Sequence, residues 1–147
     1  MYKAYGLYKT VFVFDKFVIK VPRLYKNLMD SIRSVFACYT EIYNGIFSKK
    51  EEKKYLLPLY SPIILPVIIQ PKVKVLEDTS ISIMANDLAH DFCIRTESEF
   101  GESCGKFGDI KADNLGYWKG RLVKIDYDSI YCIHNLIISI RNKFKSK

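Results

Sequence analysis

The sequence predicts an α+β fold on three observations. Two short runs rich in β-branched and aromatic residues lie near the N-terminus, two longer stretches in the first two-thirds carry apolar residues at helical spacing, and a second pair of strand-like runs flanks Lys119-Gly120. With 147 residues, 49% apolar and 14% aromatic, the chain suits one domain with a filled core.

Residues 9–14 and 17–21 read as the first two strands, with Asp15-Lys16 as the turn between them. The period of two puts Lys20 on the face opposite Ile19 and Val21, and Pro22 ends the strand. A helix is expected over residues 27–47, where Leu28, Ile32, Val35, Phe36, Tyr39, Ile42 and Tyr43 recur at spacings of three and four. Asn27 suits its start and Asn44-Gly45 its stop. The charged run 49–54 reads as an exposed loop. Residues 63–69 and 72–76 read as strands joined by a Gln70-Pro71 turn, their prolines confining them to edges or bends. A second helix is expected over 80–95 through Ile81, Met84, Ala85, Leu88 and Phe92, capped by Asp78, Thr79 or Ser80. Residues 96–105 read as a polar loop, and 115–118 with 121–125 as a hairpin about Lys119-Gly120. Ile130, Ile133, Leu136, Ile137, Ile140 and Phe144 form the stripe of a last helix over 129–144, which Asp128 or Ser129 can cap.

The net charge of +7 favours an anionic partner: a nucleotide, an acidic protein or, as a weaker reading, nucleic acid. The four cysteines show no C-x-x-C spacing, and His90 and His134 are the only histidines, so zinc chemistry has no ligand set and free thiols are expected. No apolar run approaches the roughly 20 residues that span a bilayer, and the N-terminus has no signal-peptide core. A soluble, cytoplasmic protein without membrane contact is expected.

The chemistry concentrates in Gly108-Asp109-Ile110-Lys111-Ala112-Asp113-Asn114 and, after the hairpin, Ile125-Asp126-Tyr127-Asp128. Phosphoryl transfer needs a carboxylate to orient the attacking hydroxyl, oxygen ligands for magnesium, and a cation near the transferred group. Asp109 and Lys111 share one loop with Asn114, and the hairpin returns Asp126 beside Asn114. An Asn and an Asp at the two feet of a tight hairpin can share a hard cation.

Asp109-x-Lys111-x-x-Asn114 resembles the catalytic loop of the protein-kinase-like superfamily, and Asp126-Tyr127-Asp128 stands where a D-F-G motif would follow. The lead-in Phe107-Gly108-Asp109 is similar to the His-Gly-Asp form of aminoglycoside-phosphotransferase-like kinases, with Phe107 in place of the histidine. Upstream, Val18-Ile19-Lys20 resembles the strand motif whose lysine grips the α- and β-phosphates. The resemblance implies Asp109 as catalytic base, Lys111 beside the γ-phosphate, Asn114 and Asp126 as magnesium ligands, and Lys20 with its ion-pair partner Glu41 at the nucleotide. It implies a kinase-like fold in one truncated domain, with a small antiparallel-sheet N-lobe carrying one helix (about 1–77) and a reduced, mostly helical C-lobe (about 78–147). ATP and Mg2+ are the implied cofactors.

Several parts of the pattern are absent. Gly6 is the only glycine before Gly45, so no Gly-rich loop precedes Lys20, and Tyr127-Asp128 replaces Phe-Gly. The 21 residues after Asp126 leave no room for an activation segment and peptide-binding helices. Two functions follow. One is a minimal ATP- and magnesium-dependent phosphotransferase, acting on Ser/Thr or on itself. The other is a pseudokinase that inhibits or adapts another protein, in the manner of a virus-encoded module.

Overall fold

The first sheet is antiparallel with strand order β1-β2-β3-β4, formed by β1 (Tyr2–Tyr5), β2 (Lys9–Val13), β3 (Phe17–Pro22) and β4 (Ile68–Pro71). It belongs to a computed structural model that describes residues 1–76, 82–101, 107 and 110–126. The β2–β3 pairing follows from its turn. With Phe14 N bonded to Phe17 O at 2.9 Å around Asp15-Lys16, Val13 faces Val18, Val11 faces Lys20 and Lys9 faces Pro22. Cross-strand partners share a face, so Lys9, Val11, Val13, Val18, Lys20, Ile68 and Gln70 all lie on one side of the sheet.

That side receives α1 (Leu28–Phe47), whose N-cap Asn27 accepts from Met29 N at 2.9 Å. A side-chain cap of this kind contributes about 1 kcal/mol. The buried face of α1 is Ser34, Ala37, Cys38, Glu41, Ile42 and Asn44. Small residues let the helix approach the strands, and Ser34 Oγ donates to Tyr8 O. The stripe expected inward is therefore largely outside: Leu28, Ile32, Phe36, Tyr39 and Tyr43 are exposed, while Ile42 alone of that set is buried. Hydropathy periodicity fails here because the helix is oriented by a buried carboxylate rather than by its largest apolar side chains. α1 ends at Phe47, the expected bound, but runs through the Asn44-Gly45 stop signal, with Ile46 packed against the core and Ser48 Oγ bonding back to Asn44 O.

The run 49–54 is not a loop but holds a short helix, α2 (Lys50–Lys53), started by Lys49 N donating to Glu52 Oε2 at 2.7 Å. The stretch 63–69 is a strand only in its last residues. Ile63, with φ of 60°, Ile64 and Leu65 lie exposed in bends between Pro62 and Pro66. Gln70-Pro71 is no turn: both residues belong to β4, where Gln70 pairs with Val18 and Pro71 with Phe17 at the strand end. The sequence reading missed β1, an edge strand whose four residues are all exposed and so carry no inward alternation.

A second antiparallel sheet joins β5 (Lys74–Val75), β6 (Leu115–Trp118) and β7 (Arg121–Lys124) in that order. Lys119 and Gly120 both take positive φ, 51° and 77°, as a two-residue hairpin turn requires. Gly116 is needed for a different reason. A Cβ there would sit 2.7 Å from Val73 Cγ2 and 3.0 Å from Lys74 O, so the glycine lets the strand after β4 cross β6 closely.

Below this sheet lies α3 (Ser82–Phe100), which extends through residues expected to be loop. Thr96 is buried and its hydroxyl bonds back to Phe92 O at 3.0 Å, and Phe100 stacks on Phe107 with centroids 5.3 Å apart. The helix ends at Gly101, whose φ of 79° turns the chain. Ala85, Ala89, Phe92, Phe107, Leu76, Leu115, Tyr55 and Leu56 form the larger apolar cluster, while Met84, expected in the core, is exposed. The smaller cluster, Cys38, Ile42 and Ile68, joins α1 to the first sheet, and Leu59 packs against both. The fold is α+β. The expected caps at 78–80 and the last helix over 129–144 lie outside the described residues. Among the described residues no helix is long and apolar enough to cross a membrane.

Candidate functional site

Between the two sheets is a cleft of about 510 Å³. Lys20, Asn114 and Asp126 all line it, with Val11, Val13, Val18 and Gln70 on the first-sheet side and Leu57, Val73, Val75 and Ile125 on the other. One wall is β-branched and apolar, Lys20, Asn114 and Asp126 form a polar end, and Asp15 and Lys72, by the β2–β3 turn, also line the cleft. That is the composition expected of a small-ligand site.

Glu41 organises the polar end. It is fully buried, and a carboxylate removed from water needs partners for both oxygens. Lys20 Nζ donates to Oε1 at 2.7 Å, and Lys9 Nζ to Oε2 at 2.5 Å. Gln70 Nε2 stands 3.4 Å from Oε1. The two lysines then reach across to the hairpin. Lys20 donates to Ile125 O at 2.7 Å, one residue from Asp126, and Lys9 donates to Asp126 Oδ1 at 2.5 Å. Charges thus alternate from Lys20 through Glu41 and Lys9 to Asp126. Glu41, Lys9 and Lys20 are at most 7% exposed, whereas the Asp126 side chain is 34% exposed.

The hairpin foot is held independently. Ile125 N donates to Asn114 O at 2.9 Å, Asn114 N to Lys111 O at 3.0 Å, and Lys124 exchanges backbone bonds with Tyr55 and Leu57. A single 3₁₀ turn, Ala112–Asn114, buries Ala112 in the larger cluster and so delivers Asn114 to the cleft.

Of the residues singled out from the sequence, Lys20, Glu41, Asn114 and Asp126 are brought to one end of the cleft. Lys111 is exposed on the turn before Asn114 and is not among the residues lining the cleft. Asp109 lies outside the described residues. Lys9 was missed, although the signal was present: a two-residue turn at Asp15-Lys16 fixes Val11 opposite Lys20, which puts Lys9 diagonally beside it on the same face.

Among the described residues no cluster of three or more His, Cys, Asp or Glu could hold a metal by itself. At the hairpin foot the cleft offers one carboxylate and one carboxamide, Asp126 and Asn114, and Asp113, Asp15 and Gln70 also line it. The pair of Asp126 and Asn114 suits magnesium, which is commonly held by one or two carboxylates together with substrate phosphates and water. It does not suit a closed structural site. Cys38 is buried on α1, and Cys93 is half-buried with its Sγ donating to Glu97 Oε1 at 3.3 Å. Comparison with known protein families, with curated proteins and with solved structures finds no match.

Proposed function

We propose that the chain is an ATP- and magnesium-dependent phosphotransferase resembling a minimal protein kinase. The observation that carries this reading is the ion pair from Lys20 on a central strand to the buried Glu41 of α1, its ammonium also bonded to the carbonyl preceding Asp126. An ammonium fixed by two acceptors at the polar end of an apolar cleft is pre-set to meet phosphate, because the protein has already ordered it.

In this reading the β-branched wall of Val11, Val13 and Val18 takes the base and sugar, and Lys20 holds the α- and β-phosphates. Asn114 and Asp126 would hold magnesium, which when bound offsets charge on the β- and γ-phosphate oxygens. The resemblance gives Asp109 the acceptor hydroxyl's proton and puts Lys111 beside the γ-phosphate. The turn between β1 and β2 carries the single glycine Gly6, so phosphate ordering rests on side-chain cations more than on backbone amides. The test is transfer of labelled γ-phosphate from ATP to the protein itself or to a mixed Ser/Thr substrate. Transfer should depend on magnesium and be lost in Asp126→Ala and Lys20→Met. Transfer that persists in Asp126→Ala contradicts the assignment.

A second reading, a pseudokinase-type binding module, is favoured by one observation: an ammonium already occupies Asp126 Oδ1. It predicts nucleotide binding without transfer, unaltered by removing magnesium.

A further inference from the structure

Lys9 has no place in the motif that suggested a phosphotransferase, yet it makes the contacts that bear most directly on Asp126. It enters from β2, is 3% exposed, and is not among the residues lining the cleft. Its ammonium meets Asp126 Oδ1 at 2.5 Å, and Asp126, with 34% of its side chain exposed, lines the cleft. It therefore acts on a ligand through Asp126 and not by touching it.

We propose that Lys9 is the resting counter-ion of Asp126, so that a divalent cation entering the cleft does so in exchange for the ammonium's hold on that carboxylate. This deepens the functional reading above and rests on it, since it takes Asp126 as a cation ligand.

The rest of the network makes such an exchange feasible. An ammonium that lost its only carboxylate while buried would carry a large desolvation cost. Lys9 does not face that cost, because Glu41 Oε2 accepts from it at 2.5 Å and stays in place. Glu41 in turn remains balanced by Lys20. Asp126 is the most exposed of the four charges and lines the cleft, so it can meet a cation there while Lys9, Glu41 and Lys20 keep one another. A positive charge held against one oxygen of a ligand carboxylate also opposes a second positive charge there. Lys9 is thus a positioning residue that weakens the metal site when no anionic ligand accompanies the metal, and couples cation entry to nucleotide phosphate.

The experiment measures Mn2+ binding to the whole chain without nucleotide, by titration calorimetry or by the loss of the free-ion spin resonance signal. Lys9→Met keeps side-chain length and removes the charge. It should bind Mn2+ about tenfold more tightly than wild type, the order expected when one unit charge beside a partly solvated carboxylate is removed. Lys9→Arg keeps the charge and should bind like wild type. Asp126→Ala should abolish the gain when added to Lys9→Met. Equal or weaker binding by Lys9→Met, with Asp126→Ala still weakening wild type, overturns the role of Lys9 and leaves the functional reading standing. Binding that is absent, or indifferent to Asp126→Ala, overturns both. Should Lys9→Met fail to fold, the side-chain ammonium resonance of Lys9 in wild type, labelled with 15N, is followed during Mg2+ titration. A saturable shift supports the exchange, and an unmoved resonance overturns it.

Discussion

Replacing Glu41 by Gln tests whether the buried carboxylate holds the two sheets' polar ends together. Both carboxylate oxygens accept from ammonium groups, at 2.7 Å from Lys20 and 2.5 Å from Lys9. A carboxamide offers one oxygen and points two N–H donors at the other ammonium, so it both removes the charge and opposes a donor to a donor. Removing one partner of a buried ion pair costs about 3–5 kcal/mol. Here Lys9 keeps Asp126 and Lys20 keeps Ile125 O. The expected loss therefore sits near the lower end, at about 3 kcal/mol. For a domain of this length that lowers Tm by roughly 6–12 °C. Urea denaturation followed by far-UV circular dichroism measures it as a shift in midpoint at constant slope. A companion variant, Lys9→Met with Glu41→Leu and Lys20→Met, replaces the three buried charges of this network by apolar side chains. It should return to within about 1 kcal/mol of wild type, because an apolar replacement also removes the desolvation cost, while losing nucleotide binding. A Glu41→Gln loss below about 0.5 kcal/mol, the range of ordinary surface substitutions, would refute the network as described.

Gly116→Ala should cost about 1–3 kcal/mol through overpacking and weaken nucleotide binding, since the new Cβ meets Val73 Cγ2 at 2.7 Å and the Lys74 carbonyl at 3.0 Å beneath the cleft; denaturant midpoints and calorimetry check it. Glu99 accepts from the Tyr55 hydroxyl and pairs with Lys54, and these two contacts, the hydrogen bond from Tyr55 foremost, hold its carboxyl below the usual value. The unfolded chain, with a carboxyl near about 4.3, binds that proton first, so Glu99 adds stability above that pH and loses it as pH falls through the folded value. Glu99→Gln should therefore flatten the acid side of the stability-pH curve while leaving its slope above pH 6 unchanged, and an unchanged acid limb contradicts the pairing.

The elements most legible in sequence were those fixed by local chemistry. Asn27 caps α1 at the expected residue, and the turns at Asp15-Lys16 and Lys119-Gly120 fall where their residue types require them. What sequence misread was set by tertiary contact. The large apolar side chains of α1 suggested its buried face, yet that face is chosen by Glu41 and the small residues around it. The polar end of α3 read as loop because Thr96, Glu97 and Glu99 carry no hydropathy signal, though Thr96 bonds back to its own helix and Phe100 is packed. At the site, motif spacing pointed to Lys20, Asn114 and Asp126, but Lys9 belongs to no motif and emerges only when strand register is combined with burial.

The proposed function requires that Lys20, Asn114 and Asp126 form one nucleotide–metal site. A thermal-shift titration with ATP, in magnesium and in chelator, addresses it for wild type, Asp126→Ala and Lys20→Met. Ligand that binds the native state raises Tm by mass action, by about 2.7 kcal/mol of added stability at a hundred times the dissociation constant. A saturable rise with ATP and magnesium is expected, shrinking in chelator and in Asp126→Ala and vanishing in Lys20→Met. A rise of equal size in all three proteins, or none in wild type, would contradict the proposed function.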